Sequence, residues 1–303
     1  MNDREPSSTS RSPSSPRRAP RVCARVRGGL GNQLFIYATA CALALRNGAE
    51  LLLDTHSALA NDRWRQYRLD AFATSARIAR AGSFFVSTPR YRRTPIRWAS
   101  RLLPYARRAY IEQPWLQFVP ALLTLQVRKD VYLDGFWQSA EYFAPQADAI
   151  RRELVFRTAP DEENAGWLGR IRSVESVAVH CRRTDGPVFL PESYYTAAAG
   201  LVARRCHEPQ FFVFSDDPEW STARLRFGGP TWHIRHNNRP RGECEDFRLM
   251  TACRHFITAN STFSWWGAWL GGGGAKHVFT PAPYHEWGSA TRLPAEWTEV
   301  GWR

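Results

Sequence analysis

The fold class follows from residues 22–54, which read VCARVRGGLGNQLFIYATACALALRNGAELLLD. Within them, Val22–Val26 predicts a strand, Gly28–Gly31 a turn, Asn32–Arg46 a helix and Ala49–Leu53 a second strand. A helix between two such strands is the start of a βαβ unit, whose strands are parallel. The sequence therefore predicts an α/β protein that contains a parallel sheet.

The same alternation of strands and helices continues along the chain and divides it into two halves. The predicted strands are 131–136, 177–180, 210–214, 256–259 and 277–280, and the predicted helices are 139–154, 194–205, 216–226, 244–254 and 261–270. Residues 1–20 predict a disordered basic tail, because they are rich in Ser, Pro and Arg. We therefore predict one α/β domain at 21–157, a polar linker at 158–165 and a second α/β domain at 166–303. A ligand is then expected in the cleft between them.

The composition is globular, but the positive charge is unusually high. The chain has 303 residues, of which 44% are hydrophobic and 23% charged, and its formal net charge is +13. All its basic residues except Lys129 and Lys276 are arginine. The guanidinium group is a planar fork that suits phosphate and carboxylate, so the excess favours an anionic partner. Codon bias is an equally good explanation of the arginine preference.

The sequence contains no sign of a membrane span, a secretory signal or a metal site. No apolar run approaches the roughly 20 residues of a spanning helix, and the charged N-terminus lacks an apolar core. The six cysteines form no C-x-x-C pair, so we expect reduced thiols and a cytoplasmic setting. His233 and His236 are predicted to lie in a loop without a carboxylate motif, so we expect no metal cofactor.

Residues 71–111 contain arginines and aromatic residues but no acid. Nine arginines fall between Arg77 and Arg108, interleaved with Trp98, Leu102 and Leu103. This pattern is typical either of a solvated insertion or of a surface that binds an anionic membrane or another polyanion. The protein is therefore expected to be cytoplasmic, with peripheral contact to the inner face of a membrane as the alternative.

The sequence HCRRTD follows the predicted strand 177–180 and contains His180, Arg182, Arg183 and Asp185. Adjacent arginines at the carboxyl end of a buried strand can bind a diphosphate and offset the charge of a leaving group. They can do this without a divalent cation. The alternative is a surface loop in which the arginines pair with Asp185 and nearby acids.

The glycine loop Gly28–Gly31, with Asn32 and Gln33, lies between the first strand and the first helix. It has neither the G-x-G-x-x-G spacing nor the Lys-Ser/Thr of a P-loop. Glycines allow the backbone to approach a ligand, and Asn32 and Gln33 offer amides at a helix N-terminus. A plain βα turn needs only one glycine, so we interpret Gly31, Asn32 and Gln33 as binding residues.

Two further strand ends offer polar groups to the same edge. The first is Asn260, Ser261, Thr262 and Phe263, where Ser or Thr can cap a helix whose N–H groups hold a phosphate. The tryptophans that follow are interpreted as core residues. The second is Ser215, Asp216 and Asp217, whose carboxylates, Asp216 among them, can accept hydrogen bonds from a ribose or a guanine; helix capping by Asp217 is the equally good alternative. Together these features describe a nucleotide-diphosphate site on the second half that faces the glycine loop of the first.

At this point the sequence resembles the bacterial α-1,2-fucosyltransferase family. The motifs occur in order across residues 22–290: GGLGNQLFIYA, GFWQSAEYF, HCRRTD, YYxxA, FSDDPEW and DFRLMTACRHFITANSTFSWWGAWL. The family pattern has Gly where Thr184 stands and an aromatic residue where Gly186 stands, so the loop departs from it there. The tail and the arginine-rich stretch lie outside the motifs.

The resemblance implies a GT-B-type fold, with two Rossmann-like domains facing a central cleft. It implies transfer of fucose from GDP-fucose to the 2-hydroxyl of a terminal galactose or related sugar of a glycan, with inversion and without a metal. The donor diphosphate is expected on Arg182 and Arg183, and His180 and Asp185 fall in the same motif. The phosphate-facing helix start falls on Asn260, Ser261, Thr262 and Phe263, and the cleft loop on Gly31, Asn32 and Gln33.

The mechanism expected from these residues is direct displacement, in which Arg182 and Arg183 take up the charge of the leaving GDP. The base is left open among Asp185, Asp54 and Asp134, and the alternative is that leaving-group stabilisation does most of the work with only weak base assistance. One alternative function is a transferase of the same fold that uses another GDP-sugar. The other is a basic nucleic-acid-binding protein, although no nucleic-acid-binding motif supports it and no nucleic-acid partner is expected.

Overall fold

A computed structural model of the chain describes residues 18–60, 62–83, 85–86, 90–184, 188–284 and 293–302. Most of the predicted basic tail and the predicted site residue Asp185 lie outside the described residues. Within the described ranges, no helix combines the length and the apolar character needed to cross a bilayer. All six cysteines are described, as free thiols.

The first half contains a five-stranded parallel sheet in the spatial order β3-β2-β1-β5-β4. Its strands are β1 (Arg21–Arg25), β2 (Glu50–Asp54), β3 (Arg77–Ile78), β4 (Tyr110–Glu112) and β5 (Val131–Asp134). Its helices are α1 (Leu30–Asn47), α2 (Arg90–Arg101) and α3 (Ala147–Glu153), with 3-10 turns at Leu69–Ala71, Tyr105–Arg107, Pro120–Leu122, Ala140–Tyr142 and Ala144–Gln146. Because β1 lies in the middle of the sheet, the loop that follows it opens at the centre of the carboxyl edge.

The second half contains a six-stranded parallel sheet in the order β11-β10-β9-β6-β7-β8. Its strands are β6 (Ser176–Cys181), β7 (Gln210–Ser215), β8 (Thr231–Ile234), β9 (His255–Ile257), β10 (Val278–Ala282) and β11 (Thr298–Gly301). Its helices are α4 (Glu162–Ser173), α5 (Glu192–Ala203), α6 (Pro218–Arg224), α7 (Glu243–Ala252) and α8 (Thr262–Leu270). The strand order reverses between β6 and β9, which is where doubly wound sheets bind their ligands.

The expected fold class is confirmed: two Rossmann-like α/β domains face a central cleft, which is the GT-B-type arrangement. The predicted single helix at 139–154 is wrong, because Pro145 cannot donate a backbone hydrogen bond and the segment begins as two 3-10 turns. Helix α4 begins at Glu162, inside the predicted linker 158–165, with Asp161 as its N-cap. His233 lies in strand β8 and not in the predicted loop.

The two halves share one aromatic core, formed where α1 packs on α8. Residues 34–44 of α1 are all buried, and Phe35 lies 4.5 Å from Trp265 and 5.1 Å from Trp266 between ring centroids. Phe143 stacks on Trp266 at 5.4 Å and also lies 6.2 Å from Phe35 between ring centroids. Trp265 and Trp266 are fully buried, as the sequence predicted for them. This shared core fixes how the two sheets are placed around the cleft.

At the cleft end of this interface, the backbones of α1 and α8 come into direct contact. A Cβ atom on Gly31 would lie 2.4 Å from the carbonyl carbon of Thr262 and 2.5 Å from the amide nitrogen of Phe263. Both neighbours are backbone atoms at a helix start, so they cannot move aside as a flexible side chain would. Only glycine therefore allows the two helix N-termini to meet.

We expect Gly31→Ala to destabilise the protein by about 1–3 kcal/mol, because the added methyl group overpacks a rigid backbone contact. Thermal unfolding of the variant measures the change. The control is Gly169→Ala in α4, where a Cβ meets nothing within 4 Å and helix propensity predicts a gain of about 0.5–1 kcal/mol. Equal stability of the Gly31 variant and the native chain would contradict the contact.

Candidate active site

A cleft of about 900 Å³ lies between the two halves, at the carboxyl edges of both sheets. The loops after β1, β6, β7, β8 and β9 all reach it, together with residues 64–68 of the first half. Of the predicted site residues, the cleft is lined by Gly31, Asn32, His180, Arg182, Asp216, Ser261, Thr262 and Phe263. Six loops distant in sequence therefore converge on one site.

The reversal point of the second sheet carries an arginine beside a capped helix. Arg182 follows β6, and its Nη1 lies 3.4 Å from the Oγ of Ser261, which follows β9. Ser261 Oγ also accepts a hydrogen bond of 3.3 Å from the backbone N–H of Phe263 and so caps α8. A guanidinium beside a helix N-terminus is an arrangement that attracts phosphate.

The first half presents a second helix N-terminus to the same point. The N-cap of α1 is Gly29, which makes no side-chain capping bond, and the guanidinium of Arg65 lies beside it, 3.4 Å from where a Cβ atom on Gly29 would be. Asn32 joins the two halves, because its Oδ1 accepts from Thr262 Oγ1 at 3.2 Å and from Gln138 Nε2 at 2.8 Å. The positive ends of two helices thus point into one region of the cleft.

Gln33, predicted to bind ligand, is buried and holds two loops together. Its Nε2 donates to the carbonyls of Gly28 at 2.8 Å and Gln66 at 2.7 Å. Its Oε1 accepts from the backbone N–H of Arg68 at 2.9 Å. These bonds occupy both donors and the acceptor of the amide, so Gln33 shapes the cleft through the backbone of its neighbours.

Asp216 and Arg183 are brought together, but not as two ligands of one phosphate. The carboxylate of Asp216 accepts from the backbone N–H of Arg183 at 2.6 Å and from that of Thr184 at 3.1 Å. The guanidinium of Arg183 lies 4.2 Å from the ring centroid of Trp220 and donates to the carbonyl of Leu190. Arg182 therefore faces the cleft, while Arg183 packs beneath the loop that carries it.

The remaining residues of the predicted set lie around this loop. The ring of His180 is 5.3 Å from that of Phe263, and both line the cleft. Asn260 Nδ2 donates to the carbonyl of Val188 at 3.2 Å, so this amide holds the far end of the loop after β6. Asn260 is therefore placed to position the loop.

The two first-half carboxylates considered as bases are used in packing. Asp54 is fully buried and accepts from Tyr132 Oη at 2.5 Å and from the backbone of His56 at 3.0 Å. Asp134 is paired with Arg25 at 3.2 Å, and the pKa of its carboxyl is held below its usual value by Arg25 and Arg27, despite burial. Neither lines the cleft, so neither is placed to act on an acceptor hydroxyl.

The sequence analysis missed the wall of the cleft formed after β8. Arg235, Asn237, Asn238 and Arg239 line it, with Glu243 and Asp246 at the start of α7. The short strand Thr231–Ile234 was not predicted, and without it nothing placed these residues at a strand end. Arg68 and Glu243 pair across the cleft, which ties this wall to the first half.

Asp246 is a carboxyl group in an unfavourable environment for charge. It lines the cleft and accepts a hydrogen bond of 3.0 Å from Asn237 Nδ2. Burial, with Glu243 and Glu245 nearby, raises the pKa of its carboxyl to about 7, although the bond from Asn237 opposes this. The group therefore changes its protonation state near neutral pH.

A cluster of metal-type ligands exists away from the cleft. Among the described residues, ligand atoms of Cys206, His255 and His277 lie within 4.8 Å of one another. The backbone N–H of His277 donates to His255 Nδ1 at 3.0 Å, which leaves the proton on Nε2 for a bond of 2.7 Å to Glu175. Both ring nitrogens of His255 are thus already used, and the cluster lies at the opposite edge of the sheet from the cleft.

Comparison with known proteins gives a consistent result. A family model described as Glycosyl transferase family 11 matches residues 109–300. The alpha-1,2-colitosyltransferase of Escherichia coli is 27% identical over 296 residues, covering 92% of this chain and 98% of that protein. The galactoside alpha-(1,2)-fucosyltransferase 1 of Oryctolagus cuniculus is 26% identical over 275 residues, covering 83% of this chain and 64% of that protein. The crystal structure of fucosyltransferase NodZ from Bradyrhizobium aligns at 15% identity with a TM-score of 0.49, covering 82% and 93% of the two chains.

Asp246→Asn should remove a pH dependence from the stability of the fold. A carboxyl whose pKa is raised on folding stabilises the protein below its unfolded pKa, near 4, and this contribution is lost as pH rises through about 7. As pH rises over that range, the native chain should therefore lose up to about 4 kcal/mol of stability relative to the variant. Denaturant unfolding at pH values between 4.5 and 7.5 measures it, and parallel profiles would contradict the assignment.

Proposed function

Because the chain belongs to glycosyl transferase family 11, we propose that it transfers fucose from GDP-fucose to the 2-hydroxyl of a terminal galactose or related sugar of a glycan. Membership confirms the resemblance drawn from the motifs, and the chain is accordingly a glycosyltransferase. The proposed reaction inverts the anomeric centre and needs no metal ion. The observation that carries the proposal is the meeting of Arg182 with two helix N-termini at the reversal point of the second sheet.

The proposed diphosphate site explains how the leaving group departs. Negative charge grows on the GDP β-phosphate as the bond to the sugar breaks. Arg182 and the N–H groups at the starts of α1 and α8 are fixed before the reaction, so they stabilise that charge without reorganising. This stabilisation lowers the free-energy barrier to breaking the bond between the sugar and the diphosphate, at which the sugar is oxocarbenium-like.

Other site residues act in this proposal by positioning. Asp216 holds the backbone of Arg183 and Thr184, and Gln33 holds the glycine loop, so both keep the anion-binding groups in place. Asp185, which lies in the HCRRTD motif with Arg182, is the base proposed to accept the proton of the acceptor hydroxyl. Weak assistance from this base is sufficient when the leaving group is well stabilised. Asp54 and Asp134 are left out because both are committed to packing.

The sugar carried by GDP is the main alternative. One similar protein is named a colitosyltransferase and another a fucosyltransferase, so the names of the relatives support more than one donor sugar. A chain of the same fold that uses another GDP-sugar is therefore the second candidate. Nucleic-acid binding, the candidate from another class, has the net charge of +13 and the arginine and aromatic residues of 71–111 in its favour, but no recognised binding motif.

The test is a donor screen that reads GDP release with a panel of galactosides. We expect GDP-fucose to be consumed in preference to GDP-mannose, with activity unchanged by EDTA. Arg182→Ala should lower kcat by about 10²–10³, because one fixed donor to the developing charge is lost. Arg183→Ala is the matched control, and its loss should be smaller, because that guanidinium packs on Trp220.

Near-native turnover of the Arg182 variant would remove the proposed diphosphate site. An absolute requirement for a divalent ion would remove the metal-independent mechanism. Equal losses in the two variants would mean that both arginines bind the diphosphate during turnover. Preference for a different GDP-sugar would select the alternative donor while keeping the site.

We also propose that the arginine-rich segment 77–108 contacts an anionic membrane surface. Helix α2 and the residue after it place Pro95, Trp98, Ala99 and Leu102 at helical spacing, and all four are exposed. Trp98 is 63% exposed and Leu102 is 88% exposed. The guanidinium of Arg101 lies 5.1 Å from the ring centroid of Trp98, and the exposed apolar stripe fits the headgroup region of a bilayer.

Basic residues flank this stripe on the same surface. Arg92, Arg101 and Arg107 are exposed, and Arg101 lies 2.9 Å from Glu112. Each basic residue near an anionic leaflet contributes about 1 kcal/mol, so a few of them add to the apolar contact.

Vesicle co-sedimentation tests the membrane contact. We expect binding to phosphatidylcholine vesicles containing phosphatidylglycerol, weak binding to phosphatidylcholine alone, and loss of binding at high salt. The double variant Trp98→Ser and Leu102→Ser should bind at least about tenfold more weakly. Burial of each native side chain in the bilayer interface contributes about 1.5–3 kcal/mol to the free energy of binding. Trp115→Ser, at a residue 81% exposed elsewhere in the first half, is the control, and an equal loss there would contradict the proposal.

A further inference from the structure

An exposed tryptophan stands at the rim of the cleft on the side of the first half. Trp64 is 89% exposed and lines the cleft together with Arg65 and Gln66. Large aromatic side chains are normally buried to a large extent, so one that is exposed at the rim of a cleft is available to contact a ligand there. Trp98 and Trp115 are also exposed, but neither lines the cleft.

The backbone around Trp64 is fixed rather than loose. The carboxylate of Asp62 accepts from the backbone N–H groups of Trp64 and Arg65, both at 2.9 Å. Immediately after it, Gln33 holds the carbonyl of Gln66 and the N–H of Arg68. The backbone that carries the indole is therefore held by hydrogen bonds at Trp64 and Arg65 and again at Gln66 and Arg68. Because this segment is already ordered, a ligand that packs on the indole loses little entropy in ordering it.

The position of Trp64 separates it from the groups that bind charge. Arg182, Ser261 and the start of α8 belong to the second half, whereas Trp64 belongs to the first half and faces them across the cleft. An indole face offers apolar contact and no anionic or cationic group. Its complement is a flat, uncharged surface that carries hydroxyl groups at its edge, which describes the C–H face of a pyranose ring.

We propose that Trp64 is the stacking platform for a pyranose ring of the acceptor glycan. This inference rests on the proposed glycosyltransferase function and names the acceptor side of the same cleft. The donor binds the second half through its diphosphate, and the acceptor sugar packs on Trp64 of the first half. Trp64 then determines acceptor affinity and orientation without contacting the leaving group.

Steady-state kinetics of Trp64→Ala, Trp64→Phe and Trp115→Ala test this assignment. For Trp64→Ala we expect the KM for a galactoside to rise about tenfold or more, with the KM for the GDP-sugar unchanged. Hydrolysis of the GDP-sugar in the absence of acceptor should also be unchanged, because the diphosphate site is intact. Trp64→Phe should recover most of the acceptor affinity, and Trp115→Ala should behave as the native chain.

An unchanged acceptor KM in Trp64→Ala would overturn the proposal, as would an equal rise in Trp115→Ala. A rise of the same size in the KM for the GDP-sugar would also overturn the proposal, because Trp64 would then contribute to donor binding as much as to acceptor binding. Ligand-detected NMR of a free galactoside with native and Trp64→Ala protein gives a readout that needs no turnover. If no GDP-sugar is consumed by the native chain, the proposed function fails, and this NMR difference alone decides whether Trp64 binds a pyranose.

Discussion

Two helix N-termini meet where Gly31 of α1 lies against Thr262 of α8, and the cleft takes its form from that contact. The aromatic packing of Phe35 on Trp265 and Trp266 holds the helices together behind it. Since a helix carries partial positive charge at its N-terminus, bringing two such ends together in one place costs energy unless an anion offsets it. The same contact that joins the halves therefore favours a negatively charged ligand at this point of the cleft.

The polar residues around this point divide into those that face the cleft and those that hold the backbone. Arg182 and Thr262 line the cleft, Gln33 and Asn260 hydrogen-bond to neighbouring loops, and Asp216 does both. Anion binding by preformed N–H groups works only when the backbone is already in place. The buried amide of Gln33 and the carboxylate of Asp216 hold the backbone that carries the groups of the proposed site.

Features of the fold and the cleft that depend on residues close together in the sequence could be predicted, whereas those that depend on distant residues could not. The βαβ start at residues 22–54 and the doubly wound second half follow from periodicity and turn residues, which are local properties. The site residues at the ends of β1, β6 and β9 follow from the rule that parallel strands open at one edge. Strand β8 is four residues long and carries its own tryptophan and histidine, so no alternation marked it, and the wall after it was missed. The role of Gln33 was also invisible, because its partners at 66 and 68 are distant loop backbones.

The surroundings of the described arginines explain part of the arginine excess. Several pack flat on aromatic rings, such as Arg170 on Trp232 at 3.5 Å, Arg248 on Phe156 at 4.0 Å and Arg151 on Trp269 at 4.1 Å. A planar, weakly hydrated cation can do this, whereas an ammonium group stays in water. Part of the arginine excess thus contributes to the packing of an aromatic-rich protein, so the number of arginines alone does not point to a polyanionic partner. What distinguishes Arg182 is therefore its location at the sheet reversal, beside the start of α8, and not its charge.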